Sequence, residues 1–266
     1  MLAHNYTGVN NVQNVLSATG RNVKIGVLDS GIDYNHPAFG SCFKTPGCRV
    51  QYGYDFVGDF FMGQNPVPDN DPYDPCLNHG THVAGILAGN HGDFKGVAPD
   101  ATIGMYRVMG CYNIVTEAIV IQALEQAYLD GMDIVTMSIG FPGSWGASAS
   151  GDAAEALIKL GVFVVSAAGN RGQDGMWSID GPSVRNTLVS FNSVGTITVS
   201  VGPDNIIFDS LTPRAPSAFS SWGPGPKSEV KPELLGPGSN IYAPWPLTLG
   251  SYGIISGTSM ATPYVA

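Results

Sequence analysis

Apolar positions along the chain fall into two alternating rhythms. Short runs dense in β-branched and other apolar residues occur at KIGVLDSG (24–31), TIGMYRVMG (102–110), DIVTMSIG (133–140) and VFVVSAAGN (162–170). They are near-continuous rather than alternating, which predicts strands buried on both faces. Between the second and third, residues 116–131 (TEAIVIQALEQAYLDG) repeat Ile119, Ala123 and Ala127 at helical spacing, open on Thr116 as an N-cap and close on Gly131. Between the third and fourth, residues 152–161 (DAAEALIKLG) open on Asp152 with Glu155 three residues later, the pattern of a capping box, and stop at Gly161. Two consecutive βαβ units with right-handed crossovers follow. They predict an α/β, three-layer fold: a largely parallel twisted sheet with helices on both faces. After Asn170 the chain is richer in Gly, Pro and Ser, with shorter strands expected at TITVSVG (196–202), FDSLTP (208–213) and SNIYAP (239–244). With no internal repeat and no linker, residues 1–266 read as one domain.

Composition narrows the function classes. The formal charge is −9 and the 12 basic residues form no patch, so no nucleic-acid partner is expected. No apolar run approaches the roughly 18–20 residues of a membrane span, so no membrane partner is expected either. The opening MLAHNYTGVN lacks the charged and apolar regions of an export signal. The 4 cysteines permit three connectivities, of which Cys42 with Cys48 and Cys76 with Cys111 is preferred; buried free thiols are the alternative. With the sequon Asn5-Tyr6-Thr7, these features lean towards an extracellular protein.

Ligands of open α/β sheets bind outside the carboxyl ends of the strands. Asp29, Ser138-Ile139-Gly140 and Gly169-Asn170 all stand at such ends. In VLDSGID an acid precedes a Ser-Gly turn that lets the chain leave the sheet sharply, although a buried Asp equally serves to satisfy loop amides. NHGTHVAGILAG reads as a turn running into a helix with His79 at its start and His82 one turn on. A helix start disfavours the imidazolium and keeps a base neutral. A zinc site would need a third ligand or a His-Glu-x-x-His pattern, and neither is present, so no metal is assigned and His82 reads as a packed neighbour. ISGTSMATPYVA sets Ser259 at the mouth of a helix after a tight turn, where a hydroxyl can meet a base and a backbone amide can meet the reacting carbonyl.

VLDSGID, HGTHVAG, SAAGN and GTSMATP, in that order, resemble the four signature segments of the subtilases, and the resemblance runs over roughly residues 8–266. YDFVGD, PVPDNDP, YRVMGC and FSSWGP are most similar to secreted subtilases of the minor extracellular protease type, fungal or bacterial. The resemblance implies a serine endopeptidase with Asp29 as orienting acid, His79 as general base, Ser259 as nucleophile and the Asn170 side chain as oxyanion donor. It implies a specificity pocket lined by Ser138, Ile139, Gly140, Ala168 and Gly169. No charge sits in those segments, so a broad apolar or aromatic preference before the cleaved bond is expected. Met109, Gly110 and Cys111 are expected to pair with extended substrate backbone. The chemistry requires no cofactor, and Asp69, Asp71 and Asp74 offer oxygens for a structural calcium ion, a solvated acidic loop being the alternative.

The expected partners are protein or peptide substrates and a propeptide-type inhibitor, with the chain itself a monomer. The interval between Asn170 and Ser259 leaves no room for the protease-associated insertion that relatives often carry. In the family the serine begins a long helix, whereas few residues follow Ser259 here. A truncated C-terminus is therefore expected, with a catalytically incompetent subtilase-like fragment as the alternative function.

Overall fold

The computed structural model describes residues 1, 3–143, 148–185, 189–194, 198–201, 206–209 and 215–266. Seven strands form one sheet: β1 (Lys24–Asp29), β2 (Val50–Asp55), β3 (Thr102–Arg107), β4 (Ile134–Met137), β5 (Phe163–Ala167), β6 (Val189–Val194) and β7 (Leu234–Pro237). Their spatial order is β7-β6-β5-β4-β1-β3-β2, and every pairing is parallel. β1 is central, and the chain winds first towards β2 and then to the other side through β4. The strand order therefore reverses at β1, and a crevice opens beyond its carboxyl end.

The sheet is covered on both faces, as the near-continuous apolar strands require. Ile25, Val27, Ile103 and Met105 pack with Val83, Ile86 and Leu87 of α3 (His79–Ala88) and with Met260 and Tyr264 of α6 (Thr258–Val265). Leu28, Tyr106, Val135 and Met137 pack on the opposite side with Val120 and Leu124 of α4 (Glu117–Leu129) and with Ala154 and Leu157 of α5 (Ala149–Lys159). Each fully buried Val, Leu, Ile or Met among them contributes about 1.5–3 kcal/mol, so the two faces together hold the layers in place. Two short helices, α1 (Ala3–Thr7) and α2 (Val9–Asn14), precede β1. Of the later expectations, SNIYAP contains strand β8 (Ile241–Pro244), which pairs with β9 (Tyr252–Ile255). TITVSVG and FDSLTP contribute to a hairpin of Thr198–Val201 with Ile206–Asp209, and their remaining residues 196–197, 202 and 210–213 lie outside the described set.

The crossover helices follow their expected ends with one difference. Gly131 and Gly161 adopt φ of +71° and +95°, the left-handed conformation that ends a helix and that glycine reaches without strain. Thr116 is extended at the start of α4, yet its side chain makes no capping bond. α5 starts earlier than the Asp152 and Glu155 pattern indicated: the Ser148 hydroxyl caps it, accepting from the Gly151 amide at 3.0 Å. The Glu117 carboxylate accepts from the hydroxyls of Ser148 and Ser150, both at 2.9 Å, so a charge from α4 has recruited the α5 start.

All four cysteines are bonded, Cys42 to Cys48 and Cys76 to Cys111, the preferred connectivity. The second bridge joins the turn before His79 to the segment after β3. Among the described residues no helix is long and apolar enough to cross a membrane. The sequon lies within α1, where the Thr7 hydroxyl is engaged with Ala3 O and the Tyr264 hydroxyl.

Candidate active site

Asp29 is the last residue of β1 and is fully buried. Its Oδ1 accepts from the Ser30 amide and from Nδ1 of His79, both at 2.7 Å. This contact exists because α3 begins against the turn that follows β1. Gly31 has φ of +103°, and a Cβ on Gly80 would lie only 2.0 Å from the Gly31 carbonyl oxygen. Glycine at position 80 is therefore what lets the helix start reach the strand end. Behind the pair, Asp74 is buried and accepts from the Ser30 hydroxyl at 2.8 Å and the Leu77 amide at 2.7 Å, fixing the turn that delivers His79.

Burial works against the His79 imidazolium, but the charge and hydrogen bond of Asp29 outweigh it, with Asp74 adding to them, and the pKa is held above the ordinary 6.5. The helix start alone would have favoured the neutral ring; the adjacent carboxylate is the stronger influence. His82 points the other way. Its Nε2 meets Ile241 O at 2.9 Å, its ring packs edge-on against Trp245, and burial pushes its pKa down to about 3. It is a packed histidine tying α3 to β8.

Ser259 is the second residue of α6 and is buried at 8% exposure. Pro263 stands four residues later and has no N–H to return to the Ser259 carbonyl. The hydroxyl of Ser138 takes up that carbonyl instead, donating at 2.8 Å, while the Ser259 hydroxyl donates to Ser138 O at 3.1 Å. Two reciprocal bonds thus couple the start of α6 to the end of β4. Asn170 is held just as specifically: its Oδ1 accepts from the Thr258 amide at 2.9 Å and the Thr258 hydroxyl at 3.0 Å. The amide group is thereby oriented with Nδ2 as its remaining donor. A Cβ on Gly257 would lie 3.6 Å from both Asn170 Nδ2 and Ser259 N, so both nitrogens flank the glycine that precedes α6.

His79, Ser259, Asn170, Met109, Ser138, Ile139, Gly140 and Gly169 line one cleft of about 340 Å³. Three expected lining residues do not. Ala168 is fully buried against Ile179 and Val184, and its neighbour Ala167 faces the cleft instead. A Cβ on Gly110 would come within 2.5 Å of Gly58 O, and the Cys111 amide donates to Asp59 O at 2.8 Å, so the loop after β2 covers that edge. Of the segment, Met109 lines the cleft.

The cleft also contains two charges outside the glycine-bearing walls. Arg171 and Asp180 line it, with Arg171 Nε donating to Asp180 Oδ1 at 2.8 Å. The premise of an uncharged pocket therefore holds for residues 138–140 and 168–169 but not for the pocket as a whole. No local pattern marked Asp180. It arrives because Gly181 pairs with Phe141 and the Asp180 amide donates to Ala168 O at 3.0 Å, stitching a third segment across the first two. Of the candidate calcium ligands, Asp69 and Asp71 line a separate cleft of about 460 Å³ with Asp55, Asp59 and Arg107. Asp74 does not join them, its oxygens being engaged by Ser30, Cys76 and Leu77.

An imidazole bonded to a buried carboxylate, sharing one cleft with a hydroxyl and an oriented side-chain amide, is the equipment of a nucleophilic hydrolase. Residues 20–266 match the peptidase S8 model, the subtilase family. The chain is similar to the minor extracellular protease Vpr of Bacillus subtilis (strain 168), 37% identical over 186 residues, 70% of this chain and 22% of that protein. It is also similar to subtilisin E of the same strain, 34% identical over 250 residues, 93% of this chain and 54% of that protein. Among solved structures, a cold adapted subtilisin-like serine proteinase matches with a TM-score of 0.68 at 29% identity, over 93% of this chain and 73% of that one. The chain belongs to the subtilase family, and it spans about a fifth of Vpr and about half of subtilisin E.

Proposed function

We propose that the chain is the catalytic domain of a serine endopeptidase that cleaves peptide bonds through an acyl-enzyme, with Asp29, His79 and Ser259 as triad. The observation that carries this reading is the 2.7 Å bond from His79 Nδ1 to the buried Asp29 at the rim of the cleft that holds Ser259. With its proton on Nδ1, the ring presents Nε2 as the base. The Ser259 proton turns from Ser138 O to Nε2 as Oγ bonds to the substrate carbonyl carbon. Asn170 Nδ2 and the Ser259 amide meet the charge that develops on the carbonyl oxygen. His79 then passes the proton to the departing nitrogen as the C–N bond breaks. Water attacks the resulting ester, losing its proton through His79, and the acid leaves as the Ser259 hydroxyl is restored.

The preferred residue before the cleaved bond has an apolar or aromatic stem, which Ile139, Val115, Pro142 and the two glycines accommodate. Substrates are proteins or peptides, a propeptide-type segment is the expected inhibitor, and the domain acts as a monomer. Two disulfides and the extracellular relative suit a secreted enzyme. No cofactor takes part in the chemistry; any calcium at Asp69 and Asp71 would be structural, so a chelator should leave the acylation rate unchanged. An active-site phosphonate tests the central reading. One equivalent should label the protein and none should label Ser259→Ala. A folded chain that takes up no label would instead establish the incompetent fragment.

A further inference from the structure

The Asp180 carboxylate sits where the two glycine-bearing walls of the cleft converge. A Cβ on Gly140 would lie 3.0 Å from Asp180 Oδ2, and one on Gly169 would lie 2.4 Å from it. Glycine at both positions is thus what allows the carboxylate to occupy the space between the walls. The backbone of Asp180 is fixed to both of them, through Ala168 O on one side and the Phe141–Gly181 bridge on the other. It cannot swing away without undoing the pocket.

The two oxygens of this carboxylate are treated unequally. Oδ1 takes the Arg171 guanidinium through Nε and a terminal nitrogen, both at 2.8 Å. Arg171 spends its remaining donors on Asp174, at 3.2 Å, and on Ser178 O, at 3.1 Å. Among the described residues nothing donates to Oδ2, and Asp180 lines the cleft. A carboxylate oxygen on a cleft wall is an acceptor for a donor that arrives with a ligand. A bond to an ionised acceptor is also the stronger kind.

We propose that Asp180 is a specificity-determining residue: its Oδ2 receives a hydrogen bond from the tip of the substrate side chain before the cleaved bond, and Arg171 sets the charge of the acceptable tip. The stem of that side chain lies along apolar wall, so the favoured residue is one with an apolar or aromatic stem ending in a neutral donor, as in tyrosine. A lysine or arginine tip would approach the same oxygen beside the Arg171 guanidinium and be disfavoured by like charge. Removing that guanidinium leaves an uncompensated carboxylate at the end of the pocket and turns the preference towards cations.

This inference rests on the peptidase reading, and the experiment separates the two. Peptide p-nitroanilides identical except for the residue before the anilide would be compared as two pairs, tyrosine with phenylalanine and lysine with norleucine. Within each pair the difference is essentially the donor. The wild-type protein should favour tyrosine over phenylalanine about tenfold in kcat/KM, as expected of a charge-assisted hydrogen bond. Asp180→Leu should bring that ratio to about one, and Arg171→Gln should raise the lysine-to-norleucine ratio at least tenfold. A tyrosine-to-phenylalanine ratio that is near one in wild type or unmoved in Asp180→Leu would overturn the proposal. Should Asp180→Leu fail to fold, by its melting transition, Arg171→Gln decides alone, because its side chain is about one-third exposed. An unchanged lysine ratio there would overturn the inference. Absence of turnover on all four substrates with no phosphonate labelling sinks the peptidase reading itself, whereas turnover with flat ratios sinks only the role of Asp180.

Discussion

Asn170 shows how a side chain acquires a single task. Both Thr258 donors fasten its carbonyl oxygen, so the amide cannot flip without losing two hydrogen bonds. Asn170→Ala should therefore reduce kcat with little change in KM, by about 10² to 10³, the size known for the oxyanion asparagine of subtilisin. A loss confined to KM would argue that the residue binds ground-state substrate instead. His79 makes a second prediction. It is a base only when neutral, and Asp29 holds its pKa above 6.5, so kcat/KM should climb with pH through one ionisation above that value and then level off. Asp29→Asn removes the charge that outweighs burial. The midpoint should move down while the plateau falls by about 10⁴, and a pH profile of the variant checks both. The placement of Asp29, His79 and Asn170 was legible in the sequence because each stands in a motif at a strand end or helix start. Asp180 was not, since its position depends on a bridge between residues 141 and 181 that no local pattern encodes.

At the scale of elements, α3 is placed by absence of side chain. Gly80 abuts the Gly31 carbonyl, and a Cβ on Gly85 would lie 2.4 Å from Pro244 Cδ of β8, so the helix is pressed between the β1 turn and a neighbouring strand. Gly80→Ala should push the helix start off Asp29. We expect destabilisation of about 1–3 kcal/mol together with a lower kcat. Denaturant unfolding and steady-state kinetics on one preparation would show it; a stable, fully active variant would mean that α3 has slack. The crossover helices and four strands of the sheet were readable from their periodicity and glycine stops. Two element-level details were not. The α5 start moved because Glu117, from a different helix, gathers Ser148 and Ser150. The expected edge at Gly110 and Cys111 is covered because the loop after β2 folds onto it. Both are tertiary contacts overriding a local pattern that was itself sound.

For the molecule as a whole, three buried histidines couple stability to pH, and His36, whose Nε2 meets Ser251 O at 2.8 Å, has its pKa lowered by burial in the same direction as those of His4 and His82. His4 joins α1 to α6 through the Tyr264 hydroxyl and has its pKa pushed by burial down to about 4; His82 joins α3 to β8 with a value of about 3. Groups whose folded pKa is depressed stabilise fully above the unfolded value near 6.5, and that contribution is lost as pH falls through the folded values. Each should therefore remove up to about 1.4 kcal/mol per pH unit on acidification below 6.5. His79 is opposite in sign: its contribution is complete below 6.5 and disappears as pH rises through its elevated value, so the windows do not overlap. Urea midpoints from pH 7 to 4 should fall in the wild type and fall less steeply in His82→Gln. Equal slopes would place the acid sensitivity elsewhere.

The reciprocal bonds between Ser138 and Ser259 make the pocket wall and the proposed nucleophile one mechanical unit. Breadth and speed are consequently not independent variables for this protein. An alteration that spreads the wall at residues 138–140 to admit a bulkier substrate drags the Ser259 hydroxyl with it. Broadened variants selected from a library should as a rule turn over slowly, and recovery of speed should come from second substitutions that restore the α6 contact rather than from the wall.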